Sequence, residues 1–537
     1  SLLTFPVRLP HAETIKLAAV WANPDPEIYL QTDAPEAKPI RLYPSGRAAV
    51  SGRELHIDIS DFQGALVGLV FDTSAMQNGA EVFWQRPRIL ASQAPPEKAD
   101  TPEVAAPRAK NVIVIVLAAL RADALSATGY LRPTTPHIDA LADEGSLFER
   151  IYAPAPYTYS ATWSVMTGLY QFQHKALRAP LRPPEALPTL PKVLEAAGVT
   201  TGCVTASPWM ALEPFREGFT EFHTAFEGVD TLEQQNGSET EFQAVQDIRQ
   251  RIFAFLDAER TRQPELVTDQ VSDFLRRHHD QRFFLYAHYL QPCDPYFPPE
   301  ACKELFTIDV AKAVPPVAEA LNALNCRETV VDREGRLHLR ARYDESLLAV
   351  DFEVGRLLKT VEELGIADDT AIIVTSDHGE AFGEHGYFGH NLTVYDEMVH
   401  VPLVMRGPGI RERFGARVDA VASTVDLFPT ICGLLGIEPP EGLPAAGLFG
   451  AGLFGESVSR VDDGIRACAQ VMQDEKPFEA FWWPRYKLIR NAYDRRFEIF
   501  DLECDPHEQA NIAPFYPVLA DSLRAQADQW LHERAGK

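Results

Sequence analysis

The first 87 residues carry short runs of apolar or alternating residues, separated by clusters of Pro, Gly, Asp and Asn. Runs of this length and spacing are typical of an all-β domain. The clearest runs are Ile15–Trp21, Leu55–Ile59, Ala65–Phe71 and Glu81–Trp84. We therefore predict a small N-terminal β-sandwich over residues 1–87. The stretch that follows is rich in Pro, Ala and charged residues, which predicts a linker over residues 88–110.

The pattern changes at Asn111. The run Asn111–Leu117 is continuous and rich in β-branched residues, which is typical of a strand buried on both faces of a parallel sheet. Further along, Tyr343–Leu364 carries apolar residues at helical spacing. More strand-like runs are Thr200–Thr205, Phe283–Leu290, Ala371–Thr375 and Val401–Met405. The alternation of strands and helices predicts a three-layer α/β domain over residues 111–455, with a mostly parallel central sheet.

The last part of the chain, residues 456–537, has shorter apolar runs and ends in a helical pattern over Pro517–Glu533. Two short strands are predicted there, Tyr486–Arg490 and Phe497–Phe500. We therefore predict a small α+β subdomain that completes the α/β fold at its C-terminal end.

The overall charge restricts the partners of this protein. Its 537 residues include 50 basic and 76 acidic side chains, which gives a formal net charge of −26. Long-range repulsion therefore disfavours nucleic acids and anionic membranes, whereas a small anionic substrate requires a local site that offsets the overall field. No apolar run reaches the roughly 20 residues of a transmembrane helix, so no integral membrane segment is expected.

The cysteines give little information about the compartment. Seven cysteines, an odd number, are spread from Cys203 to Cys504 without a CxxC pair. This spacing predicts neither a disulfide framework nor a structural zinc site. The chain starts at Ser1 rather than at Met, and if a leader was removed, a periplasmic or extracellular location is favoured. The sequence does not indicate the oligomeric state.

The strongest candidate for chemistry is the segment TSDHGE, which directly follows the predicted strand at Ala371. In an open α/β sheet, ligands bind beyond the carboxyl ends of the strands. Asp377 and His378 could there present an oxygen and a nitrogen to one cation. The alternative is an ordinary polar turn.

A second candidate lies in PAPYTYSATWSVMTG, where a short helix is predicted between the prolines and Gly168. Thr158 or Ser160 would then lie at the helix N-terminus, where unpaired N–H groups and the helix dipole favour an anion. A hydroxyl in this place could be a nucleophile activated by a metal. The alternative is a plain N-cap, a role that Thr and Ser often have.

Two further segments contain candidate histidines. His390 and Asn391 end the glycine-rich segment EHGYFGHN. A loop histidine near a metal could contact an anionic substrate or protonate a leaving group, and the alternative is a surface histidine without a function. His288 lies near the end of the predicted strand Phe283–Leu290, where a buried core histidine is an equal alternative to a functional one.

The order and spacing of these pieces resemble the sulfatase family of the alkaline phosphatase superfamily, over about residues 111–537. The matching segments are NVIVIVL-AALRADAL, RPTTPHIDALADEG, YAPAPYT…SVMTGLY, LPTLPKVLEAAGVTT, FFLYAHYLQPCDPY, ARYDESLLAVDFEVGRLL, TSDHGEAFGEHGYFGHN, VPLVMRGPG and FEIFDLECDPHEQANIA. In this family, one divalent cation, usually calcium, lies between an Asp that ends the first strand and the late DHG motif. The resemblance implies a hydrolase of sulfate, phosphate or phosphonate esters.

The resemblance also assigns roles to residues of this chain. Asp377 and His378 match the late metal ligands. Thr158 matches the nucleophile, which is a formylglycine made from Cys, or a Thr or Ser in phosphate-specific relatives. His390 matches the loop Lys or His that contacts the ester group. Further candidates for substrate binding are Ser160, His288 and Asn391, and the expected ligand is a small anionic ester or a sulfated or phosphorylated glycan.

Several positions depart from the family pattern. Ala118 stands where the family has its first-strand Asp, and Ala119 stands at the neighbouring acidic position. The Pro-Ser-Arg after the nucleophile reads Ser160-Ala161-Thr162, and Gln291 and Cys293 replace the acid and the imidazole of Asp-Pro-His. Calcium, which needs about six oxygen ligands, is therefore expected to bind weakly or not at all, whereas zinc or manganese tolerates fewer ligands. Cys293 could supply a thiolate if it points inward, although lone cysteines are usually buried and inert.

The residue at the nucleophile position also indicates which class of ester the protein would hydrolyse. Formylglycine is excluded at Thr158, because the modification requires a cysteine or a serine. Sulfatases use the aldehyde hydrate to expel sulfate, whereas a threonine adduct must release its group through attack by water. That route serves phosphoryl groups better than sulfuryl groups, so a phosphate or phosphonate ester is the favoured substrate if Thr158 is the nucleophile.

Three interpretations stay open. The chain is a working hydrolase with reorganised metal ligands, or an inactive homologue that binds anionic or glycan ligands, or an inactive enzyme engineered at Ala118. The third does not explain Thr162, Gln291 and Cys293 together.

In the N-terminal domain, exposed aromatic residues could form a carbohydrate platform, but packing between sheets or domains is favoured. These residues are Trp21, Tyr29 and Trp84.

Overall fold

The computed structural model contains two compact units, Ser1–Glu103 and Val104–Lys537. In the first unit it describes the backbone of the strands given below. In the second unit it describes residues 108–179, 181–211, 215–225, 263–307, 314–315, 317–443, 448, 464–473, 476–491 and 496–535. The predicted strand Glu81–Trp84 and the side chains of Trp21, Tyr29 and Trp84 lie outside the described residues, so the role of these aromatic residues stays a prediction.

The described strands of the first unit form two four-stranded antiparallel sheets. They are β1 (Leu2–Arg8), β2 (Thr14–Val20), β3 (Glu27–Thr32), β4 (Ile40–Tyr43), β5 (Ala48–Ser51), β6 (Glu54–Asp58), β7 (Leu66–Asp72) and β8 (Gln85–Ser92). The strand orders are β1-β7-β3-β4 and β5-β6-β2-β8. Because β8 continues to Ser92, the sheet extends into the segment that was predicted as linker from residue 88.

The second unit contains one eight-stranded sheet and a small hairpin. Its strands are β9 (Asn111–Leu117), β10 (Ser146–Tyr152), β11 (Thr200–Thr205), β12 (Glu221–Thr224), β13 (Phe283–Tyr289), β14 (Thr370–Thr375), β15 (Ala381–Phe382), β16 (Phe388–Gly389), β17 (His400–Arg406) and β18 (Arg417–Ser423). The large sheet has the order β12-β11-β13-β9-β14-β17-β10-β18, and β15 pairs with β16. Neighbours in the large sheet run parallel, except that β17 is antiparallel to both β14 and β10. The predicted α/β class with a mostly parallel sheet is confirmed.

Helices pack on both faces of the large sheet. They are α1 (Pro136–Glu144), α2 (Thr158–Thr167), α3 (Gln171–His174), α4 (Leu190–Ala196), α5 (Gln263–His278), α6 (Ala318–Asn325), α7 (Arg333–Glu363), α8 (Asp396–Val399), α9 (Ile410–Phe414) and α10 (Leu427–Leu434). Successive residues of β9 point to opposite faces: Ile113 and Ile115 belong to the core with α5 and α7, whereas Val112 and Val114 belong to the core with α2 and α4. Both faces of β9 are therefore buried, which explains its continuous apolar run.

The C-terminal part of the second unit is an antiparallel sheet covered by a helix. Its elements are β19 (Ala467–Gln473), β20 (Lys476–Trp482), β21 (Tyr486–Asn491), β22 (Phe497–Asp501) and α11 (Pro517–Ala535). Lys487 of β21 is fully buried, and its Nζ forms ion pairs with the carboxylates of Asp396, at 2.8 Å, and Glu508. This sheet is thereby tied to α8. Within the described parts of the chain, no helix is both long and apolar enough to cross a membrane.

Candidate active site

Three neighbouring strands of the large sheet end at the same edge. β13, β9 and β14 run parallel, so the residues that follow them meet beyond their carboxyl ends. The N-terminus of α2 also reaches this edge, because the Thr158 hydroxyl contacts His378 just after β14. The predicted candidates Thr158, Asp377 and His378 are therefore brought together.

Asp377 is held rigidly in this cluster. Its Oδ1 accepts hydrogen bonds from the backbone N–H groups of Ala119, at 3.2 Å, and His378, at 2.9 Å. Its Oδ2 lies 3.4 Å from Nε2 of His288, which is fully buried. Burial alone would raise the pKa of this carboxyl group, but His378 and His288 hold the pKa of Asp377 well below its usual range. Asp377 is therefore an ionised carboxylate.

A close backbone contact explains why the third residue of the DHG motif, Gly379, is a glycine. A Cβ on Gly379 would lie 2.2 Å from the carbonyl oxygen of Glu397. The backbone N–H groups of Gly379 and Glu380 donate to the carbonyls of Met398 and Glu397, at 2.8 and 2.7 Å. The DHG segment therefore pairs with the backbone of α8, and this close approach fixes the direction of the two side chains before it.

Thr158 and His378 form a hydroxyl–imidazole pair. Thr158 is the first residue of α2, and its Oγ1 lies 3.1 Å from Nε2 of His378. The other ring nitrogen, Nδ1, lies 2.8 Å from the carbonyl oxygen of Gly379. A carbonyl only accepts, so Nδ1 carries the hydrogen and Nε2 accepts from the Thr158 hydroxyl. Burial lowers the pKa of His378 to about 4, which keeps this imidazole neutral at pH 7.

His390 lies against the ring of His378, with the ring centroids 4.4 Å apart. Its Nδ1 is 3.2 and 3.3 Å from the two carboxylate oxygens of Glu380, and 3.5 Å from Oδ1 of Asp294. Burial would lower the pKa of His390, but Glu380 and then Asp294 raise it to about 9. His390 therefore carries a positive charge at neutral pH, next to the Thr158–His378 pair.

The two carboxylates that hold His390 were not predicted from the sequence. Glu380 directly follows the DHG motif and is fully buried, which raises its pKa. Asp294 follows Cys293 in a different segment. The position of Glu380 after Gly379 was a usable signal, whereas the approach of Asp294 to His390 depends on how β13 and β14 lie in the sheet.

Two predicted substrate-binding side chains do not reach the cluster. Ser160 is fully buried, and its hydroxyl donates to the carbonyl of Ala176 at 2.9 Å. Asn391 is exposed, and it is the backbone N–H of this residue that donates, to the carbonyl of Pro156 at 2.8 Å. A substrate role for their side chains stays a prediction without geometric support. His288 lies inside the cluster, as the partner of Asp377.

The residues present do not fit the calcium site that the family resemblance implies. Ala118, Ala119 and Cys293 form a small buried apolar cluster where the family places acidic and imidazole side chains. Of the remaining oxygen ligands, Oδ1 of Asp377 already accepts two backbone hydrogen bonds. Calcium takes roughly six to eight oxygen ligands, and this edge of the sheet does not supply them.

The same residues include softer ligand groups. The sulfur of Cys293 and one ring nitrogen each of His378 and His390 lie within 4.8 Å of one another. A second, overlapping group consists of Cys293, Asp294, Glu380 and His390. Thiol, imidazole and carboxylate together are typical ligands of zinc rather than of calcium.

A cavity of about 580 Å³ lies beside this cluster, and its walls include Arg121, Glu384, His385, Asp396 and His400. The lining residues include neither Thr158 nor His378. Carboxylates contribute strongly to its wall, so it does not suit an anionic ester. The predicted site residues Thr158 and His378 therefore lie outside the wall of this cavity.

Comparison with known proteins identifies the family. The family model described as Sulfatase matches residues 110–437. The chain is 26% identical over 501 residues to the multifunctional alkaline phosphatase superfamily protein PehA of Trinickia caryophylli, covering 78% of this chain and 95% of that protein. It is 25% identical over 451 residues to the ulvan-active sulfatase of Formosa agariphila, covering 80% and 82%. The solved phosphonate monoester hydrolase of Agrobacterium radiobacter superposes with a TM-score of 0.61 at 22% identity, covering 78% of this chain and 96% of that one. The chain belongs to the sulfatase family of the alkaline phosphatase superfamily.

Proposed function

We propose that this protein hydrolyses small phosphate or phosphonate esters, with Thr158 as the nucleophile. The observation that carries the proposal is the hydrogen bond from the Thr158 hydroxyl to Nε2 of His378, at 3.1 Å. A nucleophile bonded to a base, which is itself oriented by a third group, is the arrangement that covalent catalysis requires. Here the third group is the carbonyl of Gly379, which fixes the tautomer of His378.

The reaction follows from these positions. Thr158 Oγ1 attacks the phosphorus atom, its proton passes to Nε2 of His378, and the bond to the leaving oxygen breaks. The leaving oxygen departs on the side opposite Oγ1 and takes a proton from solvent, and the protonated His378 returns its proton to Oγ1 when water later releases the phosphoryl group. The adduct is a phosphothreonine, and water attack at phosphorus releases the product and restores the hydroxyl. The N–H groups at the start of α2 and the charge of His390 stabilise the negative charge on the phosphoryl oxygens.

The threonine supports phosphoryl transfer over sulfuryl transfer. An adduct on Thr158 lacks the second hydroxyl through which an aldehyde hydrate expels sulfate, so the adduct depends on attack by water. The names of the similar proteins are compatible with this preference, since they include a multifunctional alkaline phosphatase superfamily protein and a phosphonate monoester hydrolase. Because one of the similar proteins is an ulvan-active sulfatase, sulfate esters should be tested as well.

One observation favours a second candidate function, an inactive homologue that binds an anionic or glycan ligand. Ala118, Ala119 and Cys293 form an apolar cluster where relatives use polar residues for catalysis. His390 and the N-terminus of α2 would still attract an anion in such a protein. Binding without turnover distinguishes this candidate from the hydrolase.

The deciding experiment is a panel of phosphate monoesters, phosphate diesters, phosphonate monoesters and sulfate esters, assayed with the full chain and with two variants. We expect the highest kcat/KM on a phosphorus ester. Thr158→Val should lower kcat by about 10³-fold or more, and Thr158→Ser should retain measurable turnover because it keeps the hydroxyl. Acid quenching should trap a phosphoryl group on the peptide that contains Thr158. Full activity in Thr158→Val would refute the nucleophile, and an inactive panel with retained anion binding would favour the second candidate.

A further inference from the structure

We propose that Cys293, His378 and His390 form a binding site for one zinc ion, in place of the calcium site of related proteins. The proposal goes beyond the proposed function and does not depend on it. Its basis is the distance between the ligand atoms: the sulfur and one nitrogen of each ring lie within 4.8 Å of one another. They come from two segments, the one after β13 and the one after β14, that the sheet brings to one edge.

The separations are close to those of a zinc site. With Zn–S near 2.3 Å and Zn–N near 2.0–2.1 Å, ligand atoms in a tetrahedral site lie roughly 3.3–3.6 Å apart. A pair of atoms at the 4.8 Å limit must therefore approach by about 1.2–1.5 Å, which side-chain rotations can provide. Cys293 lies in the loop after β13, and His390 directly follows the short strand β16, so neither residue belongs to the large sheet.

Both imidazoles are oriented in the way that metal-bound histidines usually are. Nδ1 of His378 donates to the carbonyl of Gly379 at 2.8 Å, and Nδ1 of His390 faces the carboxylate of Glu380 at 3.2 Å. In His378 this leaves Nε2 with a lone pair for a metal, and in the protonated His390 the Nε2 lone pair becomes available when a metal displaces its proton. A carboxylate or carbonyl behind each ring fixes the tautomer and strengthens the ligand.

Cys293 explains why the ion is zinc. Its side chain packs against Ala118 and Ala119, at the position where the family pattern has an imidazole. Thiolate and imidazole favour zinc, whereas calcium requires oxygen. On binding, the Cys293 thiol and the protonated His390 each release one proton to solvent as the sulfur and the ring nitrogen bond to the metal, and no redox step is involved. The neighbouring carboxylates of Glu380 and Asp294 offset the remaining positive charge.

Zinc at this site would compete with the proposed reaction, because it takes Nε2 of His378, which otherwise accepts the Thr158 hydroxyl. The zinc proposal is nevertheless tested by binding alone. If the ester panel shows no turnover, the titration below still decides whether the site exists.

The experiment is a titration of the chelator-treated full chain with Zn²⁺, and with Co²⁺ as a spectroscopic probe. We expect one tightly bound ion per chain and a thiolate-to-cobalt absorption band. Cys293→Ser should abolish the band and weaken zinc binding by at least about tenfold, and His390→Gln should weaken it similarly. The control is Cys326→Ser, which changes an exposed cysteine and should leave binding unchanged. Equal zinc affinity in the wild-type protein and Cys293→Ser, or a cobalt complex without the band, would overturn the proposal.

Discussion

Ala118 is fully buried at the end of β9 and contacts Ala119 and Cys293. Replacing it with Asp would restore the carboxylate that relatives carry there. Without a cation, the new carboxylate lies beside the ionised Asp377, so Ala118→Asp should lower the free energy of unfolding by about 2–4 kcal/mol. Millimolar calcium should recover most of this loss, because the added ligand rebuilds an oxygen-rich site. Thermal unfolding with chelator and with calcium measures both effects.

The control for this experiment is Ala118→Ser, which adds a smaller polar group, a hydroxyl, without a charge. We expect a smaller loss of stability in Ala118→Ser and no recovery with calcium. If calcium stabilises the wild-type protein as strongly as Ala118→Asp, then the missing carboxylate does not explain the poor fit to calcium.

His385 gives a prediction about pH. Its Nδ1 lies 2.9 Å from a carboxylate oxygen of Glu397, its Nε2 lies 2.9 Å from the carbonyl of Glu508, and its ring stacks on Tyr395. Burial opposes the charge, but Glu397 raises the pKa of His385 to about 9. The folded state therefore binds the proton more tightly than the unfolded state, whose histidine has a pKa near 6.5. The stabilisation is complete below about pH 6.5 and is lost as the pH rises through 9.

The measurement is the unfolding temperature of the wild-type protein and His385→Gln between pH 6 and pH 10. The wild-type protein should be more stable at pH 6, and the difference should shrink towards pH 10. His532→Gln, which changes an exposed histidine on α11, is the control. A difference that grows with pH would contradict the assigned charge.

At the scale of single residues, the candidate side chains that could be found from the sequence are those that stand in or next to a recognisable motif, such as DHG. The structure brings Asp377, His378 and Thr158 close together, and their roles in metal binding and catalysis stay predictions. The pairing of His390 with Asp294 was not predicted, because the two residues are far apart in sequence and only the order of the strands brings them together. Sequence spacing carries no information about such a contact.

Among the elements, the pairing of the DHG segment with α8 has the clearest consequence. A Cβ at Gly379 would lie 2.2 Å from the carbonyl of Glu397, and that backbone has little room to move because it also pairs with Glu380. Gly379→Ala should therefore lower the free energy of unfolding by about 2–3 kcal/mol and shift His378 away from Thr158. Chemical denaturation measures the first effect, and the loss of ester hydrolysis measures the second.

Gly464→Ala is the control for Gly379→Ala, because nothing lies within 4 Å of a Cβ added there. It should leave both stability and hydrolysis within error. A Gly379→Ala variant as stable as the wild-type protein would show that the DHG segment does not need this close approach.

The elements that the sequence predicted well are those buried on two faces. β9 was predicted with its exact bounds, since every one of its residues is buried. β10 was not predicted. It carries Glu149 and Arg150 in its middle, where its pairing with β17 shifts register between Phe148 and Ile151. These two adjacent charged residues interrupt the alternation of apolar and polar positions by which a strand is recognised in a sequence.

For the whole molecule, the net charge of −26 should repel the anionic substrates that the proposed site binds. Salt screens this repulsion over roughly 10 Å at 0.1 M. We therefore expect kcat/KM to rise about two- to fivefold between 20 and 200 mM NaCl for a doubly charged phosphate monoester. A singly charged diester is the internal control and should show a smaller rise. A kcat/KM that falls with salt would mean that the local positive field dominates the approach.

The ion pairs of Lys487 limit how the C-terminal sheet of this protein could be exchanged for that of another protein. Lys487 belongs to the C-terminal sheet, Asp396 to the segment after the DHG motif, and Glu508 to the stretch before α11. A recombination event between residues 440 and 465 would separate the lysine from one of its carboxylates. Lys487 would keep Glu508 on its own side of the break, whereas Asp396 would lose its lysine unless the new sheet supplied another. We therefore expect a chimera whose C-terminal sheet lacks a lysine at this position to be less stable than the parent protein.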